Sequence, residues 1–216
     1  MKHYGTRKGS GVIERRYTAG SPRSYDKGSR TVEAVLSKGS PVERFYGTEV
    51  LRIDPSSVNL DRIVTGGVPL LDSHNAYGIS GALGRVKKAW FDRNALMGQL
   101  AFNDTDEGRK AEGMVSRGEI SGISVGYRVN GWEITDGEGR VINPDRVRWD
   151  DDDLTFTATD WDLLEASLVA IPADADAVIR NHPGEDRRHI FSARAALQRM
   201  RARQTMLNRH IAFGVF

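Results

Sequence analysis

The chain has no cysteine. This one absence removes disulfides, thiolate metal sites and a cysteine nucleophile, and it fits a reducing compartment. No apolar run approaches the ~20 residues of a membrane span. The first thirty residues are basic and polar, without the apolar core of a secretory signal, so a cytoplasmic protein is the expectation. No G-x-x-x-x-G-K, no G-x-G-x-x-G after a strand and no H-E-x-x-H occurs, and no cofactor is expected. Histidine is scarce. His3, His182, His189 and His210 lie in the two end segments, which leaves His74 alone in the central part.

Charge is present but unevenly spread. The net charge is +2, yet residues 1–30 and 180–216 each hold eight Lys/Arg against two acids. The stretch between them holds 15 basic and 25 acidic residues. An acidic body with two basic ends follows. Such ends are solvated tails or contacts to something acidic. The body's own acidity, and its lack of an aromatic and basic stripe, argue against nucleic acid as the partner. At 216 residues and 39% hydrophobic composition, one substantial domain with tails is expected.

Residues 1–30 are rich in Gly, Ser, Arg and Lys and read as a disordered basic arm. From Thr31 apolar and polar residues alternate. Thr31-Val-Glu-Ala-Val-Leu-Ser37 and Val42-Glu-Arg-Phe-Tyr-Gly-Thr-Glu-Val-Leu-Arg52, joined by Lys38-Gly-Ser-Pro41, read as a hairpin. Asp54-Pro-Ser-Ser-Val58 reads as a helical turn with Asp54 as its cap. Strands are expected over 67–74, 79–90 and 94–102. Asp104-Thr-Asp-Glu107 puts acids in the first turn of a helix that stops near Gly118. A strand should follow to about 129, then a hairpin over 132–147 tipped by Asp136-Gly-Glu-Gly139. Asp150-Asp-Asp-Asp153 lacks the spaced ligands and glycine of a calcium loop and reads as solvated. Two more strands are expected over 154–161 and 163–171, ended by Pro172. From Glu185 the period turns helical. Ile190, Ala193, Leu197, Met200, Leu207 and Ile211 form one stripe among arginines, a basic amphipathic tail over 181–216.

Three weak chemical signals stand in the central part. His74 is the body's only histidine and so its readiest general base. Glu119-Ile-Ser-Gly-Ile-Ser-Val-Gly-Tyr127 offers Ser121 and Ser124 among glycines, the setting a serine nucleophile and its oxyanion donors need. The letters G-x-S-x-G occur there, but the segment runs from helix to strand, the reverse of a hydrolase elbow. On local chemistry the two serines are interchangeable. Glu165 lies among apolar residues, and on a strand it shares a face with Ser167. A carboxylate so placed could orient an imidazole, with Asp160 and Asp162 as near competitors. Each residue also has a plain reading: a bonded histidine, turn punctuation, an edge acid.

Taken in order, Val68-Pro-Leu-Leu-Asp-Ser-His74, Gly84-Arg-Val86, Gly118-Glu-Ile-Ser-Gly-Ile-Ser-Val-Gly-Tyr-Arg128 and Leu164-Glu-Ala-Ser-Leu-Val-Ala-Ile-Pro-Ala173 resemble the tailed-phage prohead proteases of the HK97 type. The resemblance implies a mainly β fold, a small antiparallel β-barrel with helices, similar to herpesvirus assemblin proteases, over residues 31–180. It implies a serine endopeptidase with His74 as base and Ser124 as nucleophile, Ser121 ranking second. Related proteases use a histidine or an acid as the third member, and here Glu165 fits the Leu-Glu-x-Ser block, with a nearby Asp left open. Gly84, Arg85 and Val125 are then candidates for holding the oxyanion or substrate. It further implies the major capsid protein or its scaffold segment as partner, self-cleavage, and a place inside the prohead in the host cytoplasm. It leaves a homo-oligomer open and calls for no membrane. The alternative is a non-enzymatic capsid scaffold or assembly protein.

Overall fold

A computed structural model describes residues 22–148 and 153–180. The tail helix expected over 181–216 lies outside them, as do residues 1–21 of the expected arm. Among the described residues there are ten strands: β1 (Thr31–Ser37), β2 (Val42–Arg44), β3 (Gly47–Leu51), β4 (Val58–Asn59), β5 (Val68–Asp72), β6 (Ala82–Asp92), β7 (Ala95–Phe102), β8 (Gly122–Thr135), β9 (Val141–Ile142) and β10 (Thr155–Val169). Two α-helices accompany them, α1 (Asp61–Thr65) and α2 (Asp106–Ser116). The fold is mainly β.

The sheet is organised around β10. One edge of β10 pairs antiparallel with β8 along nearly its whole length. The other edge takes three short parallel partners in turn: β3 at its start, β4 at Trp161 and Asp162, and β5 at Ala166 to Leu168. A central strand with one face on the core turns its apolar side chains to that face. Trp161, Leu163, Ala166 and Leu168 are accordingly buried in the main core. From β5 the sheet continues antiparallel through β6 and β7 to β1.

Several expectations require correction. The sheet is open rather than a closed barrel: its path runs from β1 to β2, and no ladder joins the ends. Residues 177–180 lie between β1 and β8 but make only single bridges, Ala34 to Ile179 and Gly122 to Val178. The segment leaves β10 through Pro172, which has no N–H to donate, and through the turn at Asp174. It therefore arrives as an irregular strap. The first hairpin is also different. β1 pairs with β7, while β2 and β3 form the hairpin, across Phe45 and Tyr46. Val32, Ala34 and Leu36 are fully buried, so β1 needs an interior neighbour, which the short and exposed β2 is not.

Asp54 caps a turn, not a helix, accepting from the N–H groups of Ser56 and Ser57. The strand expected from Ile79 starts at Ala82, after a single 3-10 turn. The two strands expected over 154–171 are one. The short helix α1 was not anticipated.

The expected helix is α2. The Thr105 hydroxyl accepts from Gly108 N–H at 3.1 Å at its start. At its end Gly118, at φ +73°, turns the chain in the left-handed region. Gly118 N–H reaches Val115 O and Glu119 N–H reaches Met114 O, both at 2.9 Å. This paired closure ends the helix sharply and delivers the chain into β8 within a few residues.

Candidate active site

β5 ends where the backbone turns left-handed twice, with Ser73 at φ +49° and His74 at φ +61°. Consecutive non-glycine residues in this region are uncommon, and such strain gathers at functional sites. The turn is held from three sides. Ser73 N–H donates to Leu168 O at 3.0 Å, Asn75 N–H to Asp72 O at 2.8 Å, and His74 N–H to the Ser167 hydroxyl at 3.0 Å. Through β10, then, β5 aims the imidazole.

The ring meets Glu165, with Nδ1 2.6 Å from Oε1. An ionised carboxylate only accepts, so the proton belongs on Nδ1 and the lone pair on Nε2. The His74 side chain is 47% exposed and that of Glu165 13%. The pair is thus anchored at its acid end and open at its imidazole end. The other oxygen of Glu165 accepts from the Ser167 hydroxyl at 2.8 Å. The competing acid Asp162 is engaged elsewhere, by Arg128 at 2.6 Å and Asn59 at 2.7 Å.

Across the ladder Ser167 stands opposite Ser124, and Glu165 opposite Gly126. In an antiparallel pair, opposed residues share a face. Ser124 and Glu165 therefore project to one side of the sheet, the side His74 overlies. Ser124 and His74 line the same cavity. Ser124 is 8% exposed, and among the described residues its hydroxyl has no hydrogen-bond partner. Ser121 precedes the strand, holds Ile179 N–H through its carbonyl, and does not line that cavity. The structure thus separates two serines that local chemistry could not.

Val125 also lines the cavity. Ile123 N–H donates outward, to Ala177 O at 2.9 Å, rather than to β10. Hydrogen-bonding direction alternates along a strand, so Val125 points its N–H to the same outer edge, beyond the end of the strap. Gly84 and Arg85 are not brought to the site. They lie in β6, opposite Leu70 and Pro69, and do not line the cavity.

The far wall of the cavity carries a cluster that sequence reasoning missed. Buried Glu49 accepts from the hydroxyls of Tyr46 and Tyr127 and, at 3.1 Å, from Arg44 Nη2. Burial pushes Glu49 up, but these three donors outweigh it and hold its carboxyl below the ordinary value. Burial together with the carboxylate pushes both phenols up to about 12. Beside this cluster Asp174 fixes the strap, accepting from Lys38 N–H at 2.7 Å and from the Ser37 hydroxyl at 3.0 Å. The donors to Glu49 come from positions 44, 46 and 127, a spacing that leaves no local sequence pattern. For Ser167 there was a signal, since its shared face with Glu165 is readable.

A family model described as caudovirus prohead serine protease matches residues 56–188, more than half of the chain and all of the elements that carry His74, Ser124 and Glu165. The chain belongs to that family. The family's general class is that of the serine peptidases. A curated relative, the major capsid protein of Halomonas phage phiHAP-1, is 27% identical over 135 residues, which is 62% of this chain. The chain spans about a fifth of that relative's length. No solved structure matches. Among the described residues no helix is long and apolar enough to cross a membrane.

Proposed function

We propose that the chain is a serine endopeptidase that cleaves capsid-protein or scaffold segments within the assembling prohead, in the host cytoplasm. Ser124 is the nucleophile, His74 the general base and Glu165 the group that orients the imidazole. The observation that carries this reading is the 2.6 Å contact between His74 Nδ1 and Glu165 Oε1 beside a cavity shared with Ser124. With Nδ1 engaged, Nε2 is left to take the proton of Ser124.

The steps follow from these roles. Ser124 Oγ attacks the scissile carbonyl as His74 Nε2 takes its proton, and Glu165 stabilises the resulting imidazolium. His74 then protonates the leaving amine, and an acyl-enzyme remains on Ser124. Water activated by the same imidazole releases it. The outward N–H of Val125, next to the nucleophile, is the candidate donor to the oxyanion. The free edge of β8 past the strap suits a substrate that binds as an added strand.

The relative supports the choice of substrate. A protein named major capsid protein contains a region similar to this chain, and that likeness supports a capsid protein as the substrate. Cleavage would then act on a segment held nearby, and self-cleavage in the basic ends is part of the proposal.

The test is coexpression of the full chain, wild type or Ser124→Ala, with the capsid protein of the same phage. Shortening of the capsid protein or of the chain itself, seen by mass spectrometry with wild type alone, is the expected result. Cleavage that survives in Ser124→Ala removes Ser124 as nucleophile. Correct assembly without cleavage by either form favours a non-enzymatic scaffold protein.

A further inference from the structure

Ser167 has no exposed surface, yet it carries a hydroxyl. A buried hydroxyl is costly unless its bonds are made. Here they are made to two members of the candidate site at once. The hydroxyl donates to Glu165 Oε2 at 2.8 Å and accepts from His74 N–H at 3.0 Å. Ser167 also stands opposite Ser124 on one neighbouring strand and Leu71 on the other. One side chain thereby touches the carboxylate, fixes the backbone of the imidazole and faces the nucleophile across the ladder.

We propose that Ser167 is a positioning residue of the active centre, a fourth group that sets the Glu165 carboxylate and the left-handed turn at His74 relative to each other. The proposal rests on the reading of His74, Ser124 and Glu165 given above. Glu165 Oε1 serves the imidazole only while Oε2 is held, because a carboxylate with one free oxygen can rotate about its terminal bond. His74 N–H, turned inward by the left-handed backbone, has the Ser167 hydroxyl as its partner. Alanine at 167 would release both constraints together. Since both act through the orientation of His74, the loss should appear in the rate of the chemical step and not in binding.

The full chain is treated with a small alkyl fluorophosphonate, which needs an activated serine but no recognised peptide. Labelling of Ser124 is followed by mass spectrometry over a range of probe concentrations. Ser167→Ala is expected to lower the maximal labelling rate about 10- to 100-fold, as expected of a small misplacement of reacting groups, with the half-saturating probe concentration unchanged. In a Glu165→Gln background Ser167→Ala is expected to add little, because residues acting through one group are not additive. Ser167→Cys, which keeps the volume and weakens the bonds, should fall in the same direction and decides the matter if the alanine variant does not fold. A folded variant that labels at the wild-type rate overturns the proposal, and so does a full additive loss in the double variant. Failure of the underlying reading looks different: Ser124→Ala would then label as wild type does.

Discussion

Glu165 occupies the space over Gly126 that a side chain there would fill. A Cβ at Gly126 would fall 2.3 Å from Glu165 Oε1 and within 3 Å of two more atoms of that side chain. The glycine in Ser124-Val-Gly-Tyr127 is thus explained by the neighbouring strand, because its bare α-carbon lets the carboxylate lie flat toward His74. Gly126→Ala should displace Glu165 and leave the fold intact, since the atoms that must move are the end of a flexible side chain. Fluorophosphonate labelling should slow about 100-fold, the usual consequence of moving a catalytic group by an ångström. Thermal unfolding should barely change.

Glu165→Gln tests the same contact by charge rather than shape. Two donors converge on Glu165, the Nδ1–H of His74 and the hydroxyl of Ser167. A glutamine offers one oxygen and one NH2, so either His74 Nδ1–H faces an NH2 or Ser167 must turn its hydroxyl from donor to acceptor. The imidazole then loses its tautomer or its orientation. Cleavage of the phage's capsid protein should fall about 100- to 10,000-fold, in line with the loss of an orienting acid in other triads. Cleavage at the wild-type rate would show that Glu165 is a structural acid only.

Much of this centre is legible in the sequence, and what is not legible has physical reasons. The helix start at Asp104–Glu107, the glycine at 118 that ends it and the break at Pro172 are local, so the sequence carries them directly. Glu165 and Ser167 share a face because a strand alternates. Pairing is not local. Residues 31–37 and 42–52 read as the two arms of one hairpin, but full burial of Val32, Ala34 and Leu36 demands an interior place for β1 beside β7. The strap over 177–180 takes part in the fold through isolated bridges, which no periodicity announces. Gly84 and Arg85 belonged to a resembling block, yet they sit on β6 away from the cavity.

Acid should weaken the fold around the cavity. Burial pushes Glu49, Asp162 and Asp174 up, but donated hydrogen bonds outweigh it and hold all three carboxyls below their ordinary values. A carboxyl whose folded value is depressed adds stability that is fully present above its unfolded value, about 4. That stability is lost as pH falls through the folded value. Urea unfolding should therefore show stability level from pH 7 to about 5 and falling below about 4. Glu49→Gln should flatten part of that fall. It should cost about 1.5–3 kcal/mol at pH 7, because it weakens hydrogen bonds made to a charged group. A variant with an unchanged acid limb would remove Glu49 from this account.

The central claim is that Ser124, and not Ser121, is the activated serine. Its most direct test is fluorophosphonate treatment of the full wild-type chain, followed by proteolytic mapping of the modified residue. One adduct on Ser124 is predicted, absent in Ser124→Ala and strongly slowed in His74→Ala. An adduct on Ser121 that persists in Ser124→Ala, or a chain that cleaves capsid protein while Ser124 stays unmodified, would contradict it.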